Sequence, residues 1–263
     1  MNEHDFNSAR DALIDARRRP AALASYPASW QPDDLADAYR LQAAVIDAFG
    51  PVGAWKVAAV TQAQQQAMRL VGPIAGAIPA CHVHDAASGA ARLRLADFIA
   101  PLIECEFAFE LARDLPERDA AYTRAEVGDA VAALRLAVEI VDPRLPRDAG
   151  TMSQIADGFN NGALVAGPRI ERWSSVDFAA TTIVLRAVGV AESVATGSGR
   201  AILDGDPLGA LVLLANVHAS GRGLRRGDIV TTGSCTGAPR LPGPGLYRAE
   251  FASLGGVDLR VDG

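Results

Sequence analysis

The sequence predicts an α+β protein in which a helical N-terminal region wraps a single β-rich domain built as a mixed sheet or β-roll. Three observations predict it. Residues 5–18 and 33–49 carry apolar side chains at helical spacing. From residue 162 onward, short apolar segments are cut by Gly, Pro and Ser at a density that suits many short strands. One long apolar helix, DPLGALVLLANVHASG, interrupts that half of the chain. The expected division is a helical cap over residues 1–70 and a β-roll domain over residues 71–263.

Within the cap, the second helix starts after Pro32 with aspartates near its N-terminus, and Leu35, Ala38, Leu41, Gln42, Val45 and Phe49 share a face before Gly50-Pro51 stops it. GAWKVAAV then reads as a short strand, TQAQQQAMRL as a helical segment, and Gly72-Pro73 as a break. The Ala/Gly/Pro-rich run over residues 72–89 reads as loops with a short strand around Ala77. PLIECEFAFELARDLP alternates: Ile103, Cys105, Phe107, Phe109 and Leu111 face one way, and Glu104, Glu106 and Glu110 the other. Thr123 and Glu126 form a capping-box pattern that opens the helix EVGDAVAAL. LRLAVEIVDPR is a second strand, with Glu139 a lone carboxylate among apolar neighbours. TMSQIADGFNNG reads as a short helix and a polar turn, and GALVAGPRI, DFAATTIVLRAVG and ESVATGSG as further strands. Asp206 caps the long helix and Gly221 ends it, before a β-rich tail.

Composition limits the function. With 49% hydrophobic and 21% charged residues the chain has the mix of a soluble globular protein. A net charge of -6 and a pI near 5.2 argue against a nucleic-acid surface. No uncharged apolar run approaches the ~20 residues of a membrane helix, and the N-terminus lacks a signal-peptide core, so the expected compartment is the cytoplasm. Cys81, Cys105 and Cys235 form no CxxC pair and read as small buried hydrophobes. His82 and His84 share one face of a possible strand but have no third zinc ligand, GSG at 197–199 reads as a hairpin turn, and Ser234 sits in no nucleophile elbow.

Lys56 is the only lysine; every other basic side chain is arginine. In an apolar strand it either snorkels to water or has a partner or a task, and a partly buried amine can have its pKa lowered into a working range. Glu104 and Glu106, at i and i+2 on a strand, have Cα atoms ~6.6 Å apart on one face. Such a pair can face water or reach one cation; Glu139, costly if buried alone, could be the third ligand of a hard-cation site for Mg2+ or Mn2+.

These same segments, PLIECEFAFELARDLP, AVEIVDPR, IADGFNNGALVAG, LLANVHASGRGLRRGDIVTTGSCTG and LGGVDLRV, together with ADAYRLQ and GAWKVA, resemble the fumarylacetoacetate hydrolase superfamily. The resemblance is to its 2-keto-4-pentenoate hydratase and 4-oxalocrotonate decarboxylase branch. It implies a fumarylacetoacetate hydrolase-like mixed β-sandwich/β-roll, metal ligands Glu104, Glu106 and Glu139, and a catalytic Lys56. It also implies pocket roles for Asp142, Arg144, Asp157, Asn161 and Ser234. Where the family commonly has Asp-Asn, this chain has Asp157-Gly158, so Asn160 or Asn161 could take over a contact. The loop after Pro73-x-x-Gly76 reads GAIPACHVHDAASG, with Asp85 the candidate auxiliary carboxylate.

The implied activity is metal-dependent hydration of a 2-hydroxy-2,4-dienoate to a 4-hydroxy-2-oxo acid, in a homo-oligomer acting in aromatic catabolism. The same scaffold also carries 2-oxo acid decarboxylation and acylpyruvate C-C hydrolysis, the latter needing a water-activating base that the sequence does not place. A silent scaffold subunit would be expected to have lost one of the three glutamates or Lys56, and none is lost.

Overall fold

The computed structural model describes residues 1–219 and 221–263. Helix α1 (Glu3–Arg18) is capped by the Asn2 side chain, and α2 (Leu35–Asp47) by Asp34, each accepting a hydrogen bond from a backbone N–H of the first turn. Their apolar faces meet over Phe6, Leu13, Leu41 and Val45, and Tyr26 closes that cluster. Strand β1 (Val52–Ala58) follows, then α3 (Gln62–Met68), opened by a capping box between Thr61 and Gln64. The run expected to be mostly loop holds β2 (Ile74–Pro79), buried along its whole length, and β3 (Val83–Asp85). Its Ala and Gly residues signal little strand propensity; burial between neighbours decides the conformation.

Strand β4 (Ala91–Arg94) leads to β5 (Leu102–Leu111), α4 (Arg124–Asp129) and β6 (Val131–Val141). Thr123 and Glu126 make the capping box, but the helix is shorter than its Ala-rich sequence predicts. Residues 131–134 pair with β5 instead, because the ladder and two buried faces outweigh the helix preference of alanine. The chain continues through α5 (Gly150–Ala156), β7 (Asn161–Ile170), β8 (Thr182–Ala187) and β9 (Ser193–Ser198). Gly197 lies within β9 and not in a hairpin turn; a Cβ there would collide with the Cys235 carbonyl. Helix α6 (Pro207–Ala219) has the Asp206 carboxylate accepting from Gly209 N–H, and β10 (Ile229–Ser234), β11 (Gly245–Phe251) and β12 (Gly255–Asp262) complete the fold.

Two sheets result, ordered β2-β1-β10-β5-β6-β7-β3 and β4-β12-β11-β8-β9. The smaller sheet packs on one face of the larger, where Ile103, Phe107, Phe109, Leu136 and Val138 meet Leu185, Phe251, Val257 and Leu259. The larger sheet curls the other way: the Asn161 side chain at the start of β7 donates to the carbonyl of Ala77 on β2. Its inner face is lined by Ala54, Ile78, Ala108, Ala137 and Leu164, small enough for the strands to close around. Because β1 is an inner strand of this sheet, residues 1–70 and the β-rich remainder share one hydrogen-bonded structure.

Candidate metal centre

The alternation of β5 places Glu104 and Glu106 on the inner face, and antiparallel register sets Glu104 directly opposite Glu139 on β6. Like charges so placed repel, and burial raises the cost. Glu106 and Glu139 are almost wholly buried, at 1% and 0% exposure. An oxygen from each of the three carboxylates lies within 4.8 Å of the others, the one such group with metal-ligand geometry among the described residues.

Lys56 supplies the nearest opposing charge. Its Nζ donates to Glu139 Oε1 at 2.5 Å, and the residue is 6% exposed, so it does not snorkel to water. The glycine paired with it on β2 makes room: a Cβ on Gly76 would lie 2.7 Å from Lys56 Cγ. Burial pulls the Lys56 pKa down, yet Glu139, Glu104 and Glu106 together outweigh that and hold it above the ordinary lysine range. This corrects the expectation of an amine lowered by burial: the cluster keeps an ammonium.

The carboxylates shift upward. Burial, opposed by Lys56 and reinforced by Glu139, pushes Glu104 to about 7. Burial, then Glu139 and Glu104, drive Glu106 well above its usual range, although Glu106 Oε2 accepts from Gly233 N–H at 2.7 Å. That amide is free to do so because β10 is irregular between Thr231 and Ser234, with Gly233 at φ +111°. Glu139 Oε2 is buried with no hydrogen-bond partner. An orphaned carboxylate oxygen, two neighbouring carboxylates whose ionised forms burial disfavours and a single compensating ammonium fit a divalent hard cation.

The other candidate residues are engaged elsewhere. Asp142 accepts from the backbone N–H groups of Ile99 and Ala100 at 2.8–3.1 Å. Arg144 Nε bonds both oxygens of Asp157 at 3.0 and 2.9 Å, and Arg17 from α1 reaches Asp157 and the Asn161 side chain at 3.1 and 3.0 Å. All four of these side chains are almost fully buried, forming a lock between the N-terminal helix and the turn before β7. Arg144, Asp157 and Asn161 thus spend their hydrogen-bonding capacity on protein groups. Ser234 pairs in register with Glu106, but its hydroxyl donates to the Gly237 carbonyl. Asp85 is exposed and bound to Arg135, four residues along β6 from Glu139, so it is not an auxiliary carboxylate of this cluster. Glu110 is no free surface group either: it pairs with Arg135 and Arg169 at 3.0 and 3.1 Å. His82 is pushed down to about 4, by burial and then by Arg17 and Arg144, and joins no metal-ligand group.

Sequence reasoning missed Gly76, Gly233, Arg17 and Phe159. Phe159 stands 5.9 Å from Lys56 Nζ, measured to the ring centroid. A glycine opposite a strand lysine was a readable signal for Gly76; nothing in the ARRR run singled out Arg17.

No family model matches the chain. It is 33% identical over 165 residues to a 2-keto-4-pentenoate hydratase of Burkholderia vietnamiensis, covering 62% of this chain and 61% of that protein. It is 34% identical over 167 residues to the TodF product hydratase of Pseudomonas putida, covering 63% and 60%. The chain thus spans about three fifths of the length of the curated relatives it matches. Among solved structures it superposes on a 4-oxalocrotonate decarboxylase from Pseudomonas putida G7, complexed with calcium and acetate, with TM-score 0.85 and 21% identity over 99% of this chain and 98% of that one. A fumarylpyruvate hydrolase from Pseudomonas aeruginosa, in complex with Mn2+ and pyruvate, gives TM-score 0.57 and 15% identity over 80% and 88%. The resemblance read from the motifs is therefore met by similarity in sequence to 2-keto-4-pentenoate hydratases over about three fifths of their length, and by a fold shared with the 4-oxalocrotonate decarboxylase and fumarylpyruvate hydrolase structures.

Proposed function

We propose that the chain is a metal-dependent hydro-lyase that converts a 2-hydroxy-2,4-dienoate, such as 2-hydroxypenta-2,4-dienoate, to a 4-hydroxy-2-oxo acid. The observation that carries this reading is the buried cluster of Glu104, Glu106 and Glu139 with Lys56 bonded to one of its oxygens. The three glutamates would hold Mg2+ or Mn2+, which supplies Lewis acidity toward the carboxylate and C2 oxygens of a 2-oxo acid. Lys56 carries the proton. The C2 hydroxyl loses its proton as the C–O bond becomes a carbonyl, the diene electrons shift outward, and the ammonium delivers a proton to C5. Lys56 is then replenished by the proton released from C2. Water adds to the resulting conjugated enone, oxygen to C4 and hydrogen to C3, so that the overall change is the addition of one water. The packed inner face and the burial of Lys56, Glu106 and Glu139 would hold these groups in orientation before reaction.

Support for hydration over decarboxylation comes from sequence, since the hydratases are the relatives at 33% and 34% identity and the decarboxylase likeness is one of fold. The proposed setting is a cytoplasmic homo-oligomer acting on small molecules, and no helix among the described residues is long and apolar enough to cross a membrane. The test offers 2-hydroxypenta-2,4-dienoate, 2-oxo-3-hexenedioate and an acylpyruvate to the metal-loaded protein and identifies the products. Formation of 4-hydroxy-2-oxopentanoate from the first supports the reading; release of carbon dioxide from the second, with the first untouched, replaces it.

A further inference from the structure

Residues 158–160 adopt a conformation that needs an explanation. Gly158, Phe159 and Asn160 all have positive φ, at 61°, 55° and 62°. For a bulky aromatic residue the left-handed region is strained, and it persists only where the surroundings over-determine it. Here they do. Asp157 before the turn and Asn161 after it are the two residues gripped by Arg17 and Arg144, which also bond the Asp157 carbonyl at 2.6 and 3.4 Å. Arg144 donates to the Asn161 carbonyl at 2.8 Å, Asn161 Nδ2 donates to the Gly158 carbonyl at 2.9 Å, and Asp142 N–H donates to the Asn160 carbonyl at 2.8 Å. The buried arginine lock fixes the backbone on both sides of Phe159.

What the lock presents is the Phe159 ring. It packs in part against Ala59, Ile74 and Ile155 and lies within cation–π range of the Lys56 ammonium. The cation acting on Glu104 and Glu106 is Lys56, and both arginines of the turn are already paired with Asp157. If the carboxylate and C2 oxygen of a substrate sit at the glutamates and Lys56 delivers its proton to C5, the far end of the substrate lies at Phe159.

We infer that Phe159 is a specificity-determining residue that admits a hydrogen or an apolar substituent beyond C5 and rejects a second carboxylate. A terminal carboxylate there would lose its hydration against an aromatic face without gaining a free cation. The substrate class is therefore a monocarboxylic 2-hydroxydienoate. This rests on the assignment of Lys56 and the glutamates above.

The test measures binding of two unreactive 2-oxo acids, 2-oxohexanoate and 2-oxoadipate, to the Mn2+-loaded protein by calorimetry, alongside turnover. The wild type should prefer 2-oxohexanoate by about tenfold or more. Phe159→Leu should keep that preference, Phe159→Ala should reduce it several-fold, and Phe159→Arg should shift it toward 2-oxoadipate. Equal affinities in the wild type, or a ratio unchanged in Phe159→Ala and Phe159→Arg, would overturn the inference. Because binding is read without turnover, the outcomes separate. A preference that moves with residue 159 in a protein that hydrates no dienoate condemns the proposed reaction and leaves the selectivity standing. Hydration with an unmoved ratio does the reverse.

Discussion

Lys56 on β1 and Glu139 on β6 meet at 2.5 Å although two strands, β10 and β5, lie between them in the sheet. Strands stand ~4.8 Å apart, so in a flat sheet three steps would separate these backbones by ~14 Å. The curl of the larger sheet closes that gap. The contact is therefore a property of the whole roll and of the small residues Ala54, Ala108 and Ala137 that let it close.

Replacing Glu104 by Gln removes a ligand charge while keeping the shape. Mn2+ affinity, read by calorimetry, should fall by about tenfold or more, with activity falling alongside it. Unchanged Mn2+ affinity would remove Glu104 from the centre.

Lys56→Met should separate binding from chemistry. The three carboxylates remain, so metal still binds, while turnover should drop by about 10²–10⁴-fold with the loss of the proton carrier. Without metal the same variant leaves Glu139 uncompensated, and its Tm should be lower in chelator than in Mn2+ by more than the wild type's.

Gly76→Ala tests the room made for the lysine stem. The added Cβ would sit 2.6 Å from the Gly158 carbonyl oxygen and 2.7 Å from Lys56 Cγ. Both neighbours are constrained, so overpacking should cost about 1–3 kcal/mol in denaturant unfolding and displace the ammonium. A variant as stable and as active as wild type would contradict the packing described.

His218 on α6 gives a pH dependence. It is 8% exposed, stacks edge-on with Trp55 at 4.2 Å, and its Nε2 has no partner among the described residues. Burial, helped by Arg222, pushes its pKa down to about 4, whereas an unfolded histidine titrates near 6.5. A depressed histidine favours the unfolded state whenever that state alone is protonated. Its contribution is therefore complete above pH ~6.5 and is lost as pH falls toward 4, about 3 kcal/mol in all. His218→Leu should flatten the stability profile over that window, as measured by urea unfolding between pH 7 and 4.5; an unaltered slope would refute the assignment.

Much of this was legible in the chain. Alternation in PLIECEFAFEL assigned the two faces of β5 correctly, and the lone Glu139 and lone Lys56 were conspicuous as charges in apolar strands. Those signals are local, one residue against its neighbours. The strand identity of residues 74–79 and 131–134 was not legible, because Ala and Gly acquire it from pairing partners far away in sequence. Nor was the fate of Arg144, Asp157 and Asn161, which depends on Arg17 arriving from a helix 140 residues away. Asp85 failed as a candidate for the same reason: its carboxylate is taken by Arg135, a pairing across the sheet that no spacing announces.

In the proposed reaction a divalent cation held by Glu104, Glu106 and Glu139 works with Lys56 on a 2-hydroxydienoate. The most direct measurement follows the loss of 2-hydroxypenta-2,4-dienoate absorbance by the protein loaded with Mg2+ or Mn2+, then exhaustively chelated, then reloaded. Turnover, its loss and its return are expected, with Glu139→Gln inactive throughout. Full turnover after chelation, or none in the loaded protein, would contradict the proposed reaction.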